Sequence, residues 1–92
     1  MENVKNLAQL VPGEKGVITA VGAKSQTTGI ASVSDEVLNR LLEMGLIEGS
    51  SVEMLHEAPF GGDPIAVRTR GTLIALRRNE AACILVRLGV KL

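Results

Sequence analysis

The chain has 92 residues, 46% of them hydrophobic, and no net formal charge; that is enough for one ordinary core, because a chain of this size buries only about 60–65% of its unfolded surface and cannot divide that core in two. Phe60 is the only aromatic residue, which excludes base-stacking platforms for single-stranded nucleic acid and aromatic cages for cationic ligands, and requires an aliphatic core. The neutrality conceals a division: residues 1–64 carry four basic and nine acidic side chains, residues 65–92 six basic and one acidic.

In chain order, Leu7, Leu10 and Val11 ahead of Pro12-Gly13-Glu14-Lys15-Gly16 predict a short helical turn stopped at Pro-Gly and followed by a tight reversal. Val17 to Val21, apolar on both faces, predicts the first strand, closed by Gly22. The small polar residues of 22–32 predict an exposed loop. Ser34 caps the one convincing helix, with Asp35 and Glu36 in a first turn that favours negative charge and Val37, Leu38, Leu41 and Leu42 on one apolar face. Gly45 in the left-handed conformation, with Leu46 folding back on Leu41, would end it in a Schellman motif, and Glu48-Gly49 turns the chain again. Gly45, Leu46 and Gly49 are therefore read as structural residues.

From Ser51 the period switches to two, setting Val52, Met54 and His56 against Glu53, Leu55 and Glu57. After the loop Ala58-Pro59-Phe60-Gly61-Gly62-Asp63-Pro64, alternation resumes with Ile65, Val67 and Thr69 against Ala66, Arg68 and Arg70, until Gly71 turns the chain. Thr72 to Arg77 and Cys83 to Leu88 complete about five strands, joined by Arg78-Asn79-Glu80-Ala81, a length suited to one 3₁₀ turn. The expected fold is all-β, a small, strongly bent barrel with one short α-helix between its first and second strands, because βαβ alternation is missing and five strands are too few for a sandwich.

A lone Cys83 excludes an internal disulfide framework, and the longest uninterrupted apolar stretch, Ala81 to Val86, is six residues, far below the roughly 20 of a membrane helix. With no cationic, apolar leader the expected compartment is the cytoplasm, without direct membrane insertion. A Gly-rich phosphate loop, a nucleophile paired with His and a spaced carboxylate cluster are all missing, so no enzyme is expected.

Three runs now stand together: Arg40-Leu41-Leu42-Glu43-Met44-Gly45-Leu46-Ile47-Glu48-Gly49, then Ala58-Pro59-Phe60-Gly61-Gly62-Asp63-Pro64-Ile65, then Leu76-Arg77-Arg78-Asn79-Glu80-Ala81. In order and approximate spacing, from Ser34 to Leu88, the chain resembles the FeoA family. The resemblance implies an SH3-like barrel, single-domain over 1–92, that assists bacterial ferrous-iron uptake by docking on the cytosolic side of FeoB, the membrane GTPase-transporter. Similar domains end some metal-dependent repressors, which leaves a stand-alone metal-responsive regulatory domain as the alternative. The departures from the family pattern are Glu48 where Pro is usual, an additional Gly in the 59–64 loop, and the long polar stretch at 22–32.

Two partner-binding regions follow. The loop Pro59, Phe60, Gly61, Gly62, Asp63 and Pro64 fixes an unusual backbone path around the one aromatic residue, which either anchors an interface or plugs the barrel end. Arg68, Arg70, Arg77, Arg78 and Arg87 lie on strands or the turn joining them, and a bent barrel would bring some of them to one basic face, whether as a solvated surface or as a dock for an acidic partner. A nucleic-acid partner conflicts with the neutral charge and the missing aromatics, while a homo-oligomer is compatible with this reading. No cofactor is expected. Weak transition-metal binding would have to use His56 with Glu57 or Asp63, or Cys83, and each of these reads more simply as a packed or surface residue than as a ligand.

Overall fold

Six strands form one antiparallel sheet: β1 (Asn3–Asn6), β2 (Lys15–Val21), β3 (Ser51–Glu57), β4 (Ile65–Thr69), β5 (Thr72–Leu76) and β6 (Ile84–Leu88), in the order β1-β6-β2-β3-β4-β5. The computed structural model describes residues 3–22, 35–59 and 61–89; Phe60, the polar stretch from residue 23 and the Ser34 cap lie outside them. β1 is the strand that periodicity missed. Val4 is its one apolar residue and is itself exposed, so β1 is held by its ladder to β6 rather than by burial.

Two bulges bend the sheet. Ile18 pairs with Val86 and Ala20 with Leu85, leaving Thr19 as the extra residue of β2; Met54 pairs with Val67 and His56 with Ala66, leaving Leu55 as the extra residue of β3. Each bulge bends its strand and raises the local twist. The sheet thereby wraps one aliphatic cluster drawn from every strand but β1: Ile18, Val52, Met54, Ile65, Val67, Ile74, Leu76, Ile84 and Val86 are at most 8% exposed. Burying each such side chain contributes about 1.5–3 kcal/mol, so this cluster outweighs any surface ion pair, whose contribution is at most about 1 kcal/mol. The β3 bulge also flips the pleat, so His56 faces solvent instead of sharing the inner face of Val52 and Met54.

The ends of the sheet, β1 and β5, do not pair with each other among the described residues, and the SH3-like barrel stays partly open. A 3₁₀ turn, Leu7–Gln9, buries Leu7 in the core, with Leu10 beside it. The connection between β5 and β6 is α1's shorter counterpart: α1 spans Asp35–Glu43 and α2 spans Arg78–Ala81. The 78–81 segment is α-helical rather than 3₁₀, because the N–H groups of Ala81 and Ala82 reach back four residues to the carbonyls of Arg77 and Arg78, which carries Ala81 into the core.

α1 ends where its sequence asks it to. Leu46 N–H donates to Leu41 O at 3.1 Å and Gly45 N–H to Leu42 O at 3.0 Å, the double bond of a Schellman motif, with Gly45 at φ 95°. Leu41 and Leu46 are fully buried, whereas Leu42, expected on the core face, is 40% exposed: the nine-residue helix turns only a narrow stripe to the core, Leu41 fully and Val37 partly. Gly49, at φ 88°, then turns the chain into β3 and donates to Ile18 O at 2.8 Å.

Gly16 belongs to β2 and not to the preceding reversal, and its lack of a side chain lets β6 pass over it. A Cβ there would stand 2.2 Å from the Arg87 carbonyl oxygen and 2.9 Å from Val86 Cγ1. The obstructing atom is backbone in the paired strand, so relief requires separating β2 from β6. Gly16→Ala is expected to lower stability by about 3 kcal/mol or more and the melting temperature by roughly 12 °C or more, read by thermal and urea denaturation.

Candidate interaction surface

The 59–64 loop is closed by Ala58 N–H donating to Pro64 O at 3.0 Å, with Gly61 and Gly62 at φ 80° and 68° and a cis Asp63–Pro64 bond. One guanidinium holds it to the rest of the fold. Arg78 Nε donates to Gly62 O at 2.7 Å, Nη1 to Ala8 O at 2.5 Å, and Nη2 pairs with the Glu57 carboxylate, while the Arg78 backbone N–H donates to Asp63 Oδ1 at 3.1 Å. Arg78 thus joins β3, the loop and the 3₁₀ turn at the α2 end of the barrel. Gly62 gives it room, since a Cβ at Gly62 would lie 2.9 Å from Arg78 Nη2. Next to it, Glu80 accepts the Arg77 N–H at 3.0 Å to cap α2 and pairs with Arg40, which ties α1 to α2.

The five arginines do not converge on one face. Arg68 lies opposite Glu53 in the β3–β4 ladder and pairs with it at 3.5 Å. Arg70, exposed and at φ 53°, forms the tight turn to β5 with Gly71; its Cδ lies over Gly45, 3.9 Å from where a Cβ would stand. Together with Lys15, which the sequence reading assigned to a turn, these two line an open groove of about 200 Å³ that also includes Ser51, Val52, Glu53 and Gly71. Arg77 stands exposed at the far end of β5, Arg78 is turned inward, and Arg87 lies on β6 between β1 and β2. A strand-by-strand reading could find the arginines but not their grouping, because sheet order places β4 beside β3, with β2 on the far side of β3 and β6 farther still.

The metal-ligand candidates are also apart. His56 is exposed, Glu57 pairs with Arg78, Asp63 accepts the Arg78 N–H, and Cys83 is fully buried with Sγ donating to Glu80 O at 2.9 Å. Among the described residues no three His, Cys, Asp or Glu side chains gather. Burial pushes the Cys83 thiol above its ordinary value of 9.0, because the thiolate would lose its hydration there.

The geometry defines a small SH3-like β domain whose charged rim lies outside an aliphatic interior. Residues 5–88 match the FeoA domain, and the chain belongs to that family. It is similar to the FeoA protein from Chlorobium tepidum, with 34% identity over 92% of this chain and 70% of that one and a TM-score of 0.75. A zinc-complexed FeoA from Stenotrophomonas maltophilia, described as a prokaryotic SH3 domain protein, is 28% identical over 88% of this chain and 87% of its own, with a TM-score of 0.67. IdeR from T. acidophilum superposes with a TM-score of 0.70 at 21% identity, covering 92% of this chain and 34% of that one, a likeness of fold alone. A FeoA domain implies an accessory role in ferrous-iron transport, and these matches include no enzymatic family. No helix among the described residues is long and apolar enough to cross a membrane.

Two outcomes follow for this site. Arg78→Ala leaves the Ala8 and Gly62 carbonyls and the Glu57 carboxylate without their donor, and is expected to cost about 2–3 kcal/mol in urea unfolding, with Arg78→Lys recovering only part of it because an ammonium cannot span three acceptors in fork geometry. The raised Cys83 thiol makes stability complete below about pH 9 and progressively lost as pH rises above it, since the unfolded chain ionises first. Cys83→Ala should be less stable at neutral pH but lose less on going to alkaline pH, as measured by urea midpoints across that range.

Proposed function

We propose that this protein is a non-enzymatic, cytoplasmic accessory of ferrous-iron uptake that acts by binding the cytosolic part of the FeoB transporter. The observation that carries the reading is the FeoA-family match over residues 5–88. The groove of Lys15, Arg68 and Arg70 supports it as the contact region: it is open, contains three basic groups against the single Glu53, and is built from β2, β3, β4 and the two-residue turn Arg70-Gly71. The remainder of the proposed surface is the 59–64 loop, whose backbone Arg78 holds in place. Metal is cargo of the transporter in this reading and needs no resident site in the accessory.

The alternative, a stand-alone metal-responsive regulatory domain, is favoured by the fold likeness to repressors such as IdeR. A pull-down from membranes containing FeoB separates the two. The wild-type chain is expected to retain FeoB, and an Arg68→Glu/Arg70→Glu variant with an unchanged melt is expected to retain roughly tenfold less. No retention by the wild type at low salt would reject the transporter reading, and equal retention by the variant would reject the groove.

A further inference from the structure

β5 is an end strand of the sheet, and one of its two edges is hydrogen-bonded to nothing among the described residues. Which groups it exposes follows from its hairpin. Thr69 and Thr72 flank the two-residue turn Arg70-Gly71, whose two residues have φ 53° and 80°. In such a hairpin Thr69/Thr72, Val67/Ile74 and Ile65/Leu76 exchange the ladder hydrogen bonds, and the residues between them point away from the pair. On β4 those are Arg68 and Ala66, which meet Glu53 and His56 of β3. On β5 they are Leu73 and Ala75, whose N–H and C=O groups face outward.

Exposed edges are ordinarily blunted by charge, proline or a bulge. β1, at the opposite end of the sheet, carries Lys5 between Asn3 and Asn6. β5 reads Thr-Leu-Ile-Ala-Leu, with no charge, no proline and no bulge against β4, and its Leu73 side chain is 66% exposed. The charges stand instead at its two ends, Arg70 before it and Arg77 after it, about 20 Å apart. Residues 64–79 contain no acidic side chain, and neither guanidinium has an ion-pair partner among the described residues.

We propose that β5 is a docking edge that adds an extended segment of a partner protein as a seventh strand, the segment being apolar at its centre and acidic at its ends. Leu73 and Ala75 supply the backbone pairing, Leu73 packs against an apolar side chain of the incoming strand, and Arg70 and Arg77 fix its ends by charge. A second copy of this chain fits less well. A two-fold axis at Ile74 would pair Leu73 with Ala75 of the other copy and satisfy all four groups, but it also sets Arg77 of each copy beside the Arg70–Gly71 turn of the other, placing like charges together. The proposal goes beyond the transporter reading and stands on the edge alone.

The test uses the full chain and a fluorescein-labelled peptide, Asp-Asp-Val-Thr-Val-Thr-Val-Asp-Asp, with two controls: the same peptide with Pro for Thr, which cannot form a ladder, and one with Lys for Asp. Fluorescence anisotropy is expected to show the first peptide binding roughly tenfold or more tightly than either control, and added salt weakening it. Amide exchange at Leu73 and Ala75 is expected to slow on binding by about tenfold. Ala75→Pro, which removes an edge N–H the fold does not use, should weaken binding by a similar factor without lowering the melt; if the melt falls, Leu73→Glu, which leaves the backbone intact, should do the same by charge. Equal binding of the Pro peptide, equal binding of the Lys peptide, or unchanged exchange at both amides overturns the proposal. A concentration-dependent dimer that protects these amides without peptide overturns the choice of occupant. Either result leaves the FeoB pull-down to be judged separately.

Discussion

Among the described residues the interior is built entirely from aliphatic and small side chains, and that constrains the rest of the structure. Branched aliphatic side chains are short, so to meet round one centre the strands that carry them have to come close and curve sharply. The two bulges, at Thr19 and Leu55, supply the curvature, and Gly16 supplies the closeness at the point where β2 runs under β6. A flat sheet with this composition would leave its inner face half wet, because no residue among Ile18, Val52, Met54, Val67 and Val86 is large enough to fill a wider gap.

Bending also distributes the charge. A curled sheet that does not close leaves a gap between its ends, and the 3₁₀ turn and α2 lie at that gap. Arg78 serves it because a planar guanidinium can address three acceptors that belong to different parts of the chain, which neither a lysine nor any backbone group could do there. The Glu80 carboxylate plays a similar part on the other side, capping α2 and pairing with Arg40. Arginines with apparently equivalent positions in the sequence therefore have different work: Arg78 holds the fold, Arg68 is balanced by Glu53, and Arg70 and Arg77 present charge to whatever approaches β5.

Membership of the FeoA family gives this division a setting. The sheet presents an open basic groove built from β2, β3, β4 and the Arg70-Gly71 turn and, one strand away, an unpaired edge among the described residues. Neither is a deep cleft, and both sit on a sheet whose core keeps them in register.

The sequence by itself determined the aliphatic interior, the strand from Ser51, the chain reversal at Gly71, and the helix ended by Gly45 and Leu46, because each depends on contacts within a few residues or on a simple period; that Arg70 leaves the strand to share the turn was decided by the structure. It also carried the family resemblance, in three runs whose order was legible. It did not determine β1, which has almost nothing to bury, or the outward turn of His56, which follows from a bulge that period two cannot anticipate. Nor could it tell Arg78 from Arg77. They are neighbours in the chain with the same chemistry, and the three acceptors that separate them come from residues 8, 57 and 62, brought together only when the sheet curls. Tertiary structure decided these matters because each is set by partners distant in sequence, and local pattern contains no information about how the chain closes on itself.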